Sequence, residues 1–185
     1  MKAKCYILIG LLLTSIPLLH AQKELKKPVL KQEKKNEPAK TSNQVIFTKY
    51  HDVFPFSEGL ARVELNYKYG FINKSGKVII PIKYDFAYDF SDGLAVVELD
   101  GKYGFVNKSG EVVIPIKYDY ATWWFSEGLA EVKLNGKWGY IDKSGEVVIP
   151  LEYDDTYSFA NGYAKVKRGD IWFKIDKEGN EYNVE

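Results

Sequence analysis

The segment KYGFVNKSGEVVIPIKYD, Lys102–Asp119, is written almost unchanged twice more in this chain. It reads KYGFINKSGKVIIPIKYD at Lys68–Asp85 and KWGYIDKSGEVVIPLEYD at Lys137–Asp154. A second element keeps the same rhythm: Phe56, Phe90, Phe125 and Phe159 each open a four-residue run ending in glycine, at spacings of 34, 35 and 34 residues. A fixed period in this range marks a repeat architecture, because one such unit cannot bury its apolar face alone and stacked copies bury each other's.

Each piece of the unit has a local reading. Ala61, Val63 and Leu65 alternate with Arg62 and Glu64, and Ala130, Val132 and Leu134 alternate with Glu131 and Lys133. Period two predicts a half-buried strand. The fourth copy ends on Arg168 where the others have leucine, which shortens its apolar row. Asp100-Gly101 and Asn135-Gly136 then predict type I′ hairpins, whose two central residues both need positive φ; Asn66-Tyr67 is a weaker match. The second strand covers Tyr69–Asn73, Tyr103–Asn107 and Trp138–Asp142, with Gly70, Gly104 and Gly139 inside it. A mid-strand glycine predicts a close approach, read here as a neighbouring aromatic ring.

A Lys-Ser-Gly turn follows in three copies. A strand rather than a helix comes after it, so it is not a phosphate loop. The third strand, Val78–Ile82, Val112–Ile116 and Val147–Leu151, is apolar on both faces and is predicted to be buried on both. Pro81, Pro115 and Pro150 cannot donate to a ladder and predict a bulge or an unpaired edge.

The expected fold class is therefore all-β: tandem three-stranded antiparallel meanders in an open twisted stack, or alternatively in a closed propeller-like ring. Three strands per unit and unlike ends favour the open stack. The units run at about 45–55 (partial), 56–89, 90–124, 125–158 and 159–185. Val45–His51 aligns with Ile79–Asp85, which predicts a lone third strand at the start, and no third strand is predicted after Gly179.

The remaining segments differ in character. Lys2 and Lys4 precede the apolar run Tyr6–Leu19, so residues 1–21 read as a secretory signal cut after Ala21. The run is short for a membrane span; retention as an anchor is the alternative. Cys5 is the chain's one cysteine and would leave with the signal, so packing and strand pairing must hold the mature protein. Residues 22–44 carry seven lysines, three glutamates and no aromatic residue, a charge of 7 − 3 = +4. They read as a disordered linker: a solvated spacer, or a basic arm for an anionic surface. Residues 45–185 hold 17 Lys+Arg against 22 Asp+Glu, a net charge of −5, which argues against a nucleic-acid partner. The expected location is periplasmic, cell-surface or extracellular, with no transmembrane span in the mature chain.

From Val45 to about Tyr182 the recurring elements resemble the WG-repeat family. They are Phe-Ser-Glu/Asp-Gly-Leu-Ala, Lys-Tyr/Trp-Gly-Phe/Tyr-Ile/Val, Lys-Ser-Gly and Ile-Pro-Ile/Leu-Lys/Glu-Tyr-Asp. The resemblance implies a bacterial β-repeat scaffold, often exported, and offers no catalytic residue to carry over.

The chemistry points the same way. Beyond the signal the chain has one histidine, His51, and no cysteine, which excludes Cys/His zinc sites and a cysteine nucleophile. Neither G-x-S-x-G nor H-E-x-x-H occurs. No enzyme activity, metal or cofactor is expected. Asp85, Asp119 and Asp154 recur, as do Glu58, Asp92 and Glu127; acids repeated in every unit serve the unit, with calcium ligation the lesser alternative. The clearest irregularity is aromatic. Trp123 aligns with Phe54, Tyr88 and Tyr157, a place predicted to be packed, whereas Trp124 stands where the other copies have Pro55, Asp89 and Ser158. That connection also carries a one-residue insertion. Trp124, Trp123 and Tyr120 are therefore the candidate ligand-binding residues, the alternative being that Trp124 packs between units. The expected function is a non-catalytic protein-interaction scaffold, with a carbohydrate-binding module as the alternative, so the partner is a protein or a glycan.

Overall fold

The computed structural model describes residues 49–183, which form sixteen strands in four antiparallel sheets of four. The first sheet holds β1 (Asp52–Ser57), β2 (Leu60–Leu65), β3 (Lys68–Asn73) and β4 (Val78–Tyr84). The second holds β5 (Phe86–Ala87), β6 (Leu94–Leu99), β7 (Lys102–Asn107) and β8 (Val112–Tyr118). The third holds β9 (Tyr120–Ala121), β10 (Ala130–Leu134), β11 (Lys137–Ile141) and β12 (Val147–Tyr153). The fourth holds β13 (Asp155–Thr156), β14 (Ala164–Arg168), β15 (Ile171–Ile175) and β16 (Glu181–Asn183). Within every sheet the strands lie in chain order.

The expected meander is present in each copy, and the connection before it adds a fourth strand. Phe86 pairs with Glu98 and Ala87 with Val97, so two residues straighten along the free edge of the hairpin. This occupies backbone groups that a three-stranded sheet would leave unpaired. The chain ends depart from expectation. β16 does follow Gly179 and pairs Ile175 with Glu181 and Phe173 with Asn183. At the start, none of Lys49–His51 lies in a strand, although Tyr50 packs on Ala61, Val63 and Ile72. The rest of that predicted strand, the signal segment 1–21 and the linker 22–44 lie outside the described residues. No helix among the described residues is long and apolar enough to cross a membrane.

The hairpins follow the turn chemistry. Asp100 and Gly101 have φ of 53° and 72°, and Asn135 and Gly136 have 52° and 79°. Asn66 and Tyr67 adopt the same conformation at 52° and 61°, despite the bulk of tyrosine.

Two expectations about the unit need correction. The mid-strand glycines do not lie under an aromatic ring. A Cβ on Gly104 would meet the Ile114 carbonyl oxygen at 2.7 Å and the Ile116 Cα at 2.7 Å; Gly70 and Gly139 face the same part of their own sheets. The cause is a bulge. Tyr103 pairs with Tyr118 but Phe105 pairs with Ile114, so the strand containing Pro115 bows toward the glycine. The proline strand, moreover, is not buried on both faces. It is an edge strand in which Ile114 and Tyr118 are buried while Val112 and Pro115 are exposed. The bulge lets one strand present Ile114 and Tyr118 to the same core.

The sheets stack in sequence order as an open array. Phe71, Ile80 and Tyr84 of the first sheet pack on Ala95, Val97 and Val106 of the second. Val96, Phe105 and Ile114 meet Ala130, Val132 and Ile141. Tyr140, Ile149 and Tyr153 meet Ala164, Val166 and Ile175. Consequently both faces of an inner strand such as β6 are covered, and the half-buried reading of the alternating strand holds only toward the ends. The last sheet turns Lys165 and Lys174 outward as a polar cap.

The recurring acids join neighbouring sheets. Asp119 accepts a hydrogen bond from Lys102 Nζ of the second sheet at 2.6 Å and another from Gly136 N of the third at 3.3 Å; Asp85 and Asp154 repeat the pattern. Glu58 accepts from Gly93 N and pairs with Lys108 at 2.7 Å, and Glu127 does the same with Gly162 N and Lys177. Their lysine partners hold the carboxyls of Asp85, Asp119, Asp154, Glu58 and Glu127 below the usual range. These pairs are exposed, so they fix register more than they add stability.

Candidate functional site

One position in the unit points across the seam between sheets: the third residue of Leu-Ala-X-Val, which reads Tyr-Ala-X-Val in the fourth copy. It is Arg62, Val96, Glu131 and Lys165 in the four copies. The alanine and valine on either side of it are constant while its chemistry changes completely. Val96 fills the second seam as ordinary core. Lys165 faces outward on the terminal sheet. Arg62 and Glu131 each sit at a cleft.

In the first seam a cleft of about 510 Å³ is lined by Arg62, Asp89, Tyr88 and Trp123, among others. Arg62 donates to the Ala87 carbonyl, and its Nε lies 3.3 Å from Asp89 Oδ1 in an ion pair without hydrogen-bond geometry. Its guanidinium also lies 3.8 Å from the Phe54 ring centre. The charge is therefore answered within the protein.

The third seam carries the larger cleft, about 790 Å³. Its walls are Tyr120 of β9, Trp124 of the following connection, Trp138 of β11 and Tyr157 just past β13. Glu131 of β10 lies between them, 8 % exposed. Ser158 Oγ and Thr156 Oγ1 donate to its two carboxylate oxygens. Among the described residues no lysine, arginine or histidine pairs with it. Burial pushes its carboxyl above the usual range, only partly opposed by the Ser158 and Thr156 hydrogen bonds. Burial raises the neighbouring Tyr140 hydroxyl as well, and that hydroxyl donates to the Tyr157 carbonyl at 2.8 Å.

The inserted residue explains the placement of Trp124. Thr122 donates its N–H to the Glu131 carbonyl at 3.0 Å, and its Oγ1 accepts from Glu131 N at 3.1 Å. The same hydroxyl lies 3.3 Å from the Trp124 carbonyl. The widened connection is thus tied to β10 beside Glu131, and Trp124 extends into the cleft.

The three aromatic candidates do not form one group. Tyr120, 39 % exposed, and Trp124, 37 % exposed, line the third-seam cleft. Trp123 belongs to the first-seam cleft, stacked on Tyr88 at 6.0 Å. It is 47 % exposed rather than packed. The two indoles meet edge to face at 4.6 Å. Sequence reasoning missed Trp138, Tyr157 and Glu131. The available signal was the variation at the Arg62/Val96/Glu131/Lys165 position between a constant alanine and valine. His51 is exposed beside Glu64, at a distance of 3.8 Å.

Glu131→Gln tests this burial. Because the folded pKa is raised, the native state binds a proton more tightly than the unfolded chain, and the ionised carboxylate costs stability at neutral pH. Glutamine accepts one of these bonds at its amide oxygen and donates the other from its NH2 to the second hydroxyl, without the charge. The variant is expected to be more stable than wild type by roughly 1 kcal/mol at neutral pH. The difference should shrink as pH falls through the raised pKa toward the usual glutamate value, as read by urea melts across that range.

Among known proteins, the model of the WG containing repeat matches residues 40–69, 69–103, 103–138 and 138–172. No curated protein sequence matches the chain. Among solved structures, a plant lectin with two metal-binding sites from Cicer arietinum is similar over 72 % of this chain and 89 % of its own, at 12 % identity and a TM-score of 0.29. A score that low carries no argument about ligand or mechanism. Among the described residues no cluster of His, Cys, Asp and Glu is arranged to hold a metal ion. The matched repeats break at Tyr69, Tyr103 and Trp138, the aromatic residues of the Tyr-Gly and Trp-Gly pairs, and on that pattern the chain belongs to the WG-repeat family.

Proposed function

We propose that the protein is an exported, non-catalytic binding module that holds a saccharide in the cleft between its third and fourth sheets. One observation carries this reading: Tyr120, Trp124, Trp138 and Tyr157, from four different elements, converge on a cleft that also presents hydroxyl and carboxylate groups. A sugar ring has an apolar face and a polar rim, and such a wall answers both. A broad protein partner would be met by a wide patch with an apolar centre; here Tyr120, Trp124 and Tyr157, all exposed, share one concave seam with Trp138. The commitment of the nearby acids supports a non-catalytic role. Asp119 is held by Lys102 and Gly136 and so is not free to form a hydrolytic pair with Glu131, and Asp155 Oδ1 accepts from Thr156 N.

Titrating the chain with a panel of oligosaccharides while following tryptophan emission tests the proposal. A responding sugar should bind Trp124→Ala about tenfold or more weakly. If no sugar responds and an envelope protein is retained equally by wild type and Trp124→Ala, the cleft is not the site and the scaffold reading replaces it.

A further inference from the structure

The third-seam cleft contains an unanswered negative charge. Glu131 and Lys133 reach it from β10, Asp155 from β13 and Asp119 from the residue before β9. Asp119 is neutralised by Lys102 at 2.6 Å. Lys133 lies with its ammonium 5.4 Å from the Trp138 ring centre and makes no ion pair with Glu131. Glu131 has hydroxyl partners only, and Asp155 has its own backbone neighbour only. The equivalent residue Arg62 has Asp89 opposite it, and Val96 carries no charge. Among the described residues, only the third copy buries an unmatched charge in its seam.

A buried carboxylate is ordinarily paired, because an isolated one is expensive to hold. Trp124, Trp138, Tyr120 and Tyr157 line the cleft that holds this one, and aromatic faces attract cations. Resting on the saccharide reading of the same cleft, we propose that the sugar it takes bears a free ammonium group, a de-N-acetylated amino sugar, whose ammonium is seated on the Glu131 carboxylate. A neutral sugar would leave Glu131 unmatched, and a uronic or sulfated sugar would be repelled. The raised pKa adds a consequence. A bound ammonium stabilises the ionised carboxylate, so binding releases a proton from the fraction of Glu131 that is protonated, and affinity falls as pH drops through its pKa.

Calorimetric titration of the full chain with glucosamine, N-acetylglucosamine and glucose oligomers of equal length separates the outcomes. Wild type should bind the glucosamine oligomer about tenfold more tightly than the other two. Glu131→Gln should remove that preference while keeping a common, weaker affinity, and Trp124→Ala should weaken all three. Equal affinity for the three oligomers in wild type, or a preference that survives Glu131→Gln, overturns the ammonium proposal and leaves the saccharide cleft standing. A lysine-rich peptide that binds through Glu131 while glucosamine does not also overturns it. Absence of binding by every oligomer removes both readings together.

Discussion

Replacing Gly104 with alanine is expected to cost about 3 kcal/mol of stability, the upper part of the range for forcing a group into a filled interior. For an array of this size that corresponds to a fall in Tm of roughly 10 °C. The added methyl would lie 2.7 Å from the Ile114 carbonyl oxygen and 2.7 Å from the Ile116 Cα. Both are backbone atoms of a strand locked by its pairing at Ile114 and Tyr118, so no rotamer change relieves the clash. Relief requires flattening the bulge at Pro115, which would withdraw Ile114 and Tyr118 from the seam with the third sheet. Gly101→Ala is the control. Its φ of 72° penalises alanine, but nothing lies within 4 Å of the new methyl. The expected cost there is about 1 kcal/mol. Urea melts of both variants decide the matter: equal losses would mean that backbone conformation, and not the bowed neighbour, keeps glycine in the strand.

The same glycine shows where sequence reasoning stops. Its position inside a strand announces that something approaches closely, and the proline eleven residues later announces a bulge. That these are one feature depends on the register between β7 and β8, where two residues of one strand span four of the other. Period and turn chemistry do not contain that register. The two-residue strands β5, β9 and β13 were equally hidden. Phe86-Ala87 is too short to show alternation, and it becomes a strand only because the hairpin beside it offers an open edge. What the sequence did carry was the repeated meander, the hairpins, the proline edge and the open stack.

The candidate site was half legible for a related reason. Aligning copies exposes departures from the unit, which is how Trp124 stands out and draws in Tyr120 beside it. A cleft across a seam is built from two different copies, however. Glu131 belongs to the third unit and its partners Thr156 and Ser158 to the fourth. Alternation within β10 marks Glu131 as polar and therefore solvent-facing, whereas stacking covers that side as well. The positions that latch sheet to sheet, such as Asp119 with Lys102, must stay constant for the array to close its seams. Positions that project into the seam are free to vary, and function can be placed there without disturbing the frame.

The four landmark phenylalanines look interchangeable in sequence, and the stack separates them, so the second large effect is a contrast between two of them. Phe90→Ala is expected to cost about 4 kcal/mol, within the range for emptying a buried aromatic site. Phe90 is 3 % exposed, its ring 4.9 Å from that of Phe71 in the preceding sheet, and it joins the first-seam core with Tyr84 and Val97. Phe159 repeats this against Tyr140 and Phe125 against Phe105. Phe56 has no preceding sheet among the described residues to receive it and is 44 % exposed. Phe56→Ala is therefore expected to cost less than about 1 kcal/mol. In a linear array each unit is stabilised by its neighbours, so loss at the Phe90 seam should also uncouple the first sheet from the rest. Hydrogen exchange in Phe90→Ala should then show β2 and β3 opening before β10 and β11, while Phe56→Ala leaves their order of protection as in wild type. Matching losses in the two variants would mean that the landmark serves its own unit and that the seams contribute little.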